Sequence, residues 1–202
     1  MSILNTATRS IINIFNRRRL INKNPSIIAS NCNGACICHD LGIRFNSPFV
    51  DLWIKPSDFI ILLNNLKYYM NISITFVKEE GISYPVGQLG DIRIYFQHYK
   101  TEDEARNKWE ERKKRLDYDN LYIMFSDRDG CTYEELRNFN SLPYAHKVVF
   151  TNKPYPEFKS VFYIEGFENK PSVGILTTFK NKYGGRKYYD AFDYVSWLNQ
   201  RD

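Results

Sequence analysis

The sequence predicts an α/β fold, a single three-layer domain with a mostly parallel central sheet flanked by helices. Three observations carry this. Short β-branched or apolar runs alternate with stretches of helical period along the chain, the order that builds a parallel sheet covered on both faces. The 202 residues contain no internal repeat, low-complexity tract or dividing linker, which suits one domain. A hydrophobic fraction of 43% beside 25% charged residues is ordinary globular composition. It supports a buried core without disulfide or metal staples and excludes a mainly disordered chain.

The elements follow in order. Residues 1–24 read as a basic amphipathic segment, with Ile3, Ile11, Ile12, Ile14, Phe15 and Leu20 apolar and Arg17, Arg18 and Arg19 cationic. It is a helix on the domain edge, a frayed terminus, or a peripheral anchor on an anionic membrane surface. The net charge of +5 comes wholly from Arg9, Arg17, Arg18, Arg19 and Lys23. The domain proper, 25–202, therefore lacks the basic footprint of a nucleic-acid binder, and no such partner is expected. Residues 1–24 are expected to be dispensable for folding.

Residues 26–30 (SIIAS) form the first strand, before an Asn/Gly loop, and 50–54 a second short run. Pro56, Ser57 and Asp58 open a helix whose Phe59, Leu62, Leu63, Leu66 and Met70 share one face. Residues 72–77 are a β-branched strand, 81–90 a loop able to hold a short hairpin, and 91–99 an alternating, half-buried strand. The helix over 101–116 is the clearest. Thr101 and Glu104 make a capping box, acids fill the first turn and bases the last, and Glu104–Lys108, Glu110–Lys114 and Glu111–Arg115 are favourable pairs. A strand at 121–126, a turn at 127–130, a short helix at 133–139, strands at 147–151, 161–164 and 173–179, and a closing helix at 188–198 complete the reading.

No apolar run reaches the roughly 20 residues that span a bilayer. The N-terminal arginines follow the apolar stretch 10–15 rather than precede it, unlike a secretory signal. Three of four cysteines crowd into 32–38 in no disulfide framework. These features point to the cytoplasm, with residues 1–24 as the one element for a peripheral hold on the inner membrane face.

Chemistry can gather beyond the carboxyl ends of parallel strands. Ser30-Asn31-Cys32-Asn33-Gly34 occupies such a place after the first strand. A strand–turn with a central Cys is loosely analogous to a nucleophile elbow, where backbone amides hold an oxyanion. Cys32 is a small buried hydrophobe or a nucleophile; in the latter case exposure and nearby amides favour its thiolate. His98 lies three residues before the cap of a strong helix. It either caps the loop or accepts a proton beside Cys32. Asp127, Arg128 and Asp129 follow another strand and spell D-x-D; Asp127 is a turn residue, a partner for His98, or a ligand for a sugar hydroxyl. Arg112 falls on the stripe of Ala105, Trp109 and Leu116. A buried cation there needs a carboxylate such as Asp91 or Asp127, a set of carbonyls, or a bound anion. Cys36, Cys38 and His39 fall one residue short of C-x-x-C-H, and Cys131 is the lone distant thiol, so no metal site is expected. Gly184-Gly185-Arg186-Lys187 lacks a phosphate-loop pattern.

IIASNCNG (27–34), LGIRFNSPFVDLWI (41–54), DFI followed by LLNNLKYYM, YPVGQLGDIRIYFQHY (84–99), A-x-x-x-W-x-x-R-x-x-R (105–115), DNLYIMFSDRDG (119–130) and KVVFT (147–151) together resemble the bacterial domain-of-unknown-function family 1919. Its members often carry the label exopolysaccharide biosynthesis protein. The family's first motif, S-N-N-C-W-G-G, stands here as Ala29-Ser30-Asn31-Cys32-Asn33-Gly34-Ala35, keeping the cysteine, its preceding Asn and the first glycine. The resemblance implies an α/β fold and a setting in capsule, O-antigen or exopolysaccharide synthesis.

The leading expectation is acyl (acetyl) transfer to a sugar hydroxyl of a cell-surface polysaccharide or its lipid-linked precursor. Cys32 is the nucleophile or lies beside it, and His98 is the general base. The Asn31 and Gly34 amides hold the oxyanion, while Arg112 and Arg115 bind an anionic part of donor or acceptor. No resident cofactor is evident; acyl-CoA is the candidate donor. The alternatives are a glycosyltransferase-like enzyme using a metal and nucleotide-sugar through Asp127-Arg128-Asp129, and a non-enzymatic glycan-binding or scaffold protein.

Overall fold

The structure, a computed structural model, describes residues 3–200. In chain order its elements are α1 (Ile3–Arg19), β1 (Ser26–Ala29), α2 (Asn33–Leu41), α3 (Pro56–Asn64), α4 (Leu66–Asn71), β2 (Thr75–Val77), β3 (Val86–Leu89), β4 (Ile92–Tyr95), α5 (Glu102–Lys113), β5 (Leu121–Ser126), α6 (Tyr133–Ser141), β6 (His146–Thr151), β7 (Val161–Tyr163) and α7 (Tyr194–Leu198). Strands β1-β5-β6-β7 form a parallel sheet in that order, and β2-β3-β4 a small antiparallel one.

Alternation along the parallel strands divides the core in two. Ile28, Ile123, Phe125 and Val149 face a cluster with Phe59, Leu63, Ile94, Phe96, Trp109 and Phe139, so the antiparallel sheet and helices α3 to α6 cover that side. Ile27, Ala29, Tyr122, Met124, Val148 and Phe150 face the other side, against Ile37, Leu41, Tyr189, Val195 and Leu198 of α2 and the C-terminal segment. This is the expected α/β architecture of one domain with helical layers around a parallel sheet.

Local chemistry explains several departures from the sequence reading. The supposed Asn/Gly loop after β1 is helix α2. Asn31 Oδ1 accepts from the Asn33 amide at 3.1 Å, and Gly42 in left-handed conformation closes the helix. The helix expected from Pro56 to Met70 breaks at Asn65 into α3 and α4. Of 50–54, only Trp53 pairs, as a single bridge with Tyr95. Residues 173–179 are not a strand. The Val173 amide donates to Asp127 Oδ1 at 2.8 Å instead of to a neighbouring strand. The closing helix resolves into a 3-10 turn, Tyr188–Ala191, and α7. Half of the capping box read for α5 forms: Thr101 Oγ1 accepts from the Glu104 amide at 3.1 Å, but Glu104 Oε2 accepts from the Lys100 amide at 3.0 Å rather than from that of Thr101.

The N-terminal helix is tied into the domain. Arg9 is buried and reaches both Asp40 Oδ2 of α2 and Asp190 Oδ2, each at 2.5 Å. Tyr189 hydroxyl and Lys187 Nζ join at Asp40. Asn16 donates to the Tyr194 hydroxyl at 2.8 Å, and fully buried Asn22 donates to Leu198 O at 3.0 Å. The dispensability expected of residues 1–24 does not agree with this packing, because their removal strands buried carboxylates and carbonyls.

Candidate functional site

The cleft with the most chemistry opens beyond the carboxyl ends of β1 and β5. Two stitches build it. Ile54 N donates to Ser30 O at 2.9 Å, while Trp53 and Tyr95 exchange backbone bonds of 2.9 Å each. The segment 53–54 thus fastens the end of β1 to β4, and with it the turn that follows β4. Cys32, from the parallel sheet, and His98, from the antiparallel one, thereby line the same cleft of about 780 Å³, with Asn31, Cys36, Asp51, Trp53, Gln97, Arg128, Asp129 and Thr177. A cleft of similar size, about 790 Å³, is lined by Lys67, Tyr68, Tyr118, Tyr144 and His146. It opens where β5 and β6 begin and holds no thiol, so the first is the better candidate.

Cys32 is the N-cap of α2, its carbonyl accepts from the Cys36 amide at 3.0 Å, and its own side chain makes no cap hydrogen bond. Strand, sharp turn and helix N-terminus therefore meet at the thiol, the arrangement that aims backbone amides at an anion. The thiol is nonetheless protonated in the free protein. Burial, then Asp51 and Cys36, push it up to about 11, against the pull of Arg128. The α2 dipole opposes this, but at ~0.3–1 kcal/mol it changes ionisation less than tenfold. The expected bias to thiolate is thus reversed by desolvation. Burial also raises Cys36, and pushes Cys38 up to about 12. His98 is exposed in a two-residue turn between β4 and Thr101. Among the described residues, no hydrogen bond joins it to Cys32.

The other expected site residues fare differently. Asn31 lines the cleft, but its side chain is occupied: Nδ2 donates to Ser126 Oγ at 3.0 Å while Oδ1 caps α2. Gly34 serves packing first. A Cβ there would stand 2.9 Å from Ile27 Cγ2 and 3.0 Å from Ala29 Cβ, so α2 can lie this close to β1 only with glycine. Asp127 is not among the residues lining the cleft, and its oxygens accept from the Asn152 amide at 2.7 Å and the Val173 amide at 2.8 Å. Burial raises this carboxyl, and those amides partly offset the effect. Asp127 is a latch between loops; the D-x-D pair therefore leaves Asp129 alone at the cleft.

Arg112 meets neither Asp91 nor Asp127. Its Nη1 donates to the Tyr99 hydroxyl at 2.5 Å, and its guanidinium lies 5.5 Å from the Phe45 ring centre. Tyr99 in turn donates to Val50 O at 2.8 Å. Arg112 thus braces the segment that presents Asp51 and does not line the cleft. Arg115 pairs with Glu111 at 3.5 Å and is lowered by burial and by Arg44. It too lies outside.

Sequence reasoning passed over Asp51, Trp53 and Gln97, and weighed Cys36 only for a metal and Arg128 only within the D-x-D run. One structural feature singles out two acids: Asp51 at φ 59° and Asp129 at φ 61° are the non-glycine residues with positive φ among those described, and both line the cleft. Left-handed backbone at non-glycine positions costs energy and gathers at functional sites. Trp53 stacks on Tyr95 at 4.1 Å and 11° and donates to the Tyr84 hydroxyl at 3.3 Å, which holds its ring rigidly at the cleft wall. Asp51 and Trp53 stand within 41–54, a stretch quoted for the resemblance, though no spacing singled them out.

No helix among the described residues is long and apolar enough to cross a membrane, and none of their His, Cys, Asp and Glu side chains gather as a threefold metal-ligand set. An uncharacterized protein of Haemophilus influenzae is 48% identical over 198 residues, covering 98% of this chain and 95% of that protein. The family profile described as domain of unknown function DUF1919 matches residues 3–199. With that match over nearly its whole length, the chain belongs to the DUF1919 family.

Proposed function

We propose that the cleft is the active site of a cytoplasmic transferase that moves an acyl group from acyl-CoA to a sugar hydroxyl, in the synthesis of a cell-surface polysaccharide or its lipid-linked precursor. The observation that carries the reading is the placement of Cys32, at the N-terminus of α2, in one cleft with His98. In the first half-reaction, the Cys32 thiol gives its proton to His98 and its sulfur attacks the thioester carbonyl. The α2 amides stabilise the oxyanion, and CoA leaves as a thiol with that proton. In the second, His98 takes the proton of the sugar hydroxyl, whose oxygen attacks the Cys32 thioester. Cys32 leaves and recovers the proton. A thiol held protonated requires such a base. Trp53 offers a flat face for a sugar ring, and Arg128 takes the anion-binding role first expected of Arg112 and Arg115. Four free thiols suit the reducing compartment where acyl-CoA is found.

Incubating the full-length protein with acetyl-CoA and mapping adducts by mass spectrometry tests this. Acetyl-Cys32 should form in the wild type and be absent in Cys32→Ala. Surface polysaccharide from strains carrying Cys32→Ala or His98→Ala should lose an O-acetyl NMR signal. Unchanged polysaccharide in both strains overturns the reading, and loss of a sugar residue instead would point to glycosyl transfer.

A further inference from the structure

Helix α1 is packed inside out. A helix on a domain surface ordinarily buries its apolar stripe and shows its polar one. Here Asn5, Arg9 and Asn16 are buried, while Leu4, Ile11, Ile14 and Phe15 are exposed at 54%, 67%, 50% and 61%. Leu4, Ile11, Phe15 and Arg18 follow steps of seven, four and three, so they share one outward stripe. Ile21, just past the helix, is 76% exposed. The buried polar side chains explain the inversion: Arg9 is committed to Asp40 and Asp190 and Asn16 to Tyr194, so the remaining apolar side chains turn outward.

A second element extends this face. Asn5 donates to Asn181 O and accepts from the Gly185 amide, each at 3.3 Å. Gly185 sits at φ 66°, where a Cβ would fall 2.6 Å from the Arg9 backbone nitrogen. The 180–187 loop is therefore seated on the N-terminal half of α1. It carries Lys180, Lys182 and Arg186 and no acid, and Tyr183 is 58% exposed with Lys182 Nζ 5.5 Å from its ring centre.

We propose that α1 and the 180–187 loop form one docking face for an anionic lipid bilayer. The apolar stripe enters the acyl boundary, and the exposed Arg18, Lys23 and Lys182 face lipid phosphates. Charge chooses this occupant. A second copy would set like charges against each other, since the nearby acids are already paired, Asp193 with Arg19 and Asp190 with Arg9, and a nucleic acid would leave Leu4, Ile11 and Ile14 without a partner. The proposal stands apart from the acyl-transfer reading. It adds that the docked face adjoins the cleft, since Thr177 lines the cleft three residues before the loop begins.

Flotation of the full-length protein with vesicles of phosphatidylcholine and phosphatidylglycerol in equal amounts tests it. The wild type should float at low salt and release as salt rises. Ile11→Ser/Phe15→Ser, both exposed and melting like wild type, should weaken binding by about tenfold or more, and Arg18→Gln/Lys182→Gln should weaken it only where phosphatidylglycerol is present. No binding by the wild type, or binding that survives Ile11→Ser/Phe15→Ser, overturns the proposal. A dimer in sedimentation that the same variant dissociates would give the stripe to a second copy. Retention on a DNA duplex with none on vesicles would give the basic residues to nucleic acid. Either outcome also overturns it.

Discussion

Two influences oppose each other at the Cys32 sulfur. The α2 N-terminus and Arg128 favour the thiolate; burial, Asp51 and Cys36 favour the thiol and prevail, holding it near 11. The sign is simple to test. Alkylation of Cys32 by iodoacetamide should be slow at pH 7 and climb nearly tenfold per pH unit up to the limit of stability. Asp51→Asn keeps a residue that tolerates the left-handed backbone and removes one negative charge. It should speed alkylation at pH 7 by roughly two- to fivefold, a modest gain because burial is the larger cause. Peptide fragmentation that resolves Cys32 from Cys36 reads the outcome. An unchanged rate would mean that the Asp51 carboxylate does not reach the sulfur. Asp127 gives the complementary lesson: an acid in a suggestive motif has both oxygens taken by amides, so its chemistry is structural.

At the scale of elements, α2 decides where the thiol points. It rests on β1 through Gly34, where the packing leaves no space for a methyl group. Gly34→Ala gains about 1 kcal/mol of helix propensity, but the overlap with Ile27 and Ala29 forces α2 to shift, at about 1–3 kcal/mol. The expected net is destabilisation of up to about 2 kcal/mol, read from urea midpoints, with a larger loss of any Cys32-dependent activity because the turn moves with the helix. Equal midpoints for variant and wild type would show that α2 shifts without cost. Helix α5 works at a distance. Through Arg112, Tyr99 and Val50 it braces the segment carrying Asp51, and this accounts for an arginine on an otherwise apolar stripe.

For the whole molecule, the buried ion cluster joining α1, α2 and the C-terminal segment is the main cross-link. Burial by itself would raise Asp40, yet Tyr189 and Arg9 hydrogen bonds, with the charges of Arg9 and Lys187, hold it down to about 2, below its ordinary 3.8. A depressed carboxyl contributes stability above its unfolded value and loses it as pH falls toward the folded one. Asp40 should therefore contribute about 2 kcal/mol at neutral pH, lost between about pH 4 and 2. Arg9→Met should cost about 3–5 kcal/mol at pH 7 and flatten that acid limb, as followed by thermal melts across pH. A chain beginning at Pro25 should lose its cooperative melt for the same reason. If it keeps a wild-type melt, the cluster is dispensable.

Elements whose signals are local were legible in the residues alone. The α5 cap, Pro56 opening α3, and the alternating or β-branched runs of β1, β5 and β6 all act within a turn or a pleat, so periodicity and capping chemistry expose them. The family likewise showed in motifs such as the Cys32 turn and the α5 arginines. Tertiary structure decided everything that depends on a distant partner. Val173 reads as strand but gives its amide to Asp127; Asn33 and Gly34 read as loop but become helix against β1. Arg9 reads as tail charge but is the buried hub between Asp40 and Asp190. Cys32 and His98 could be named from sequence, but they share a cleft only because Ile54 and Trp53 stitch the two sheets together. Asp51 and Trp53 carry no mark in spacing, since what brings them to the cleft is that same long-range stitch.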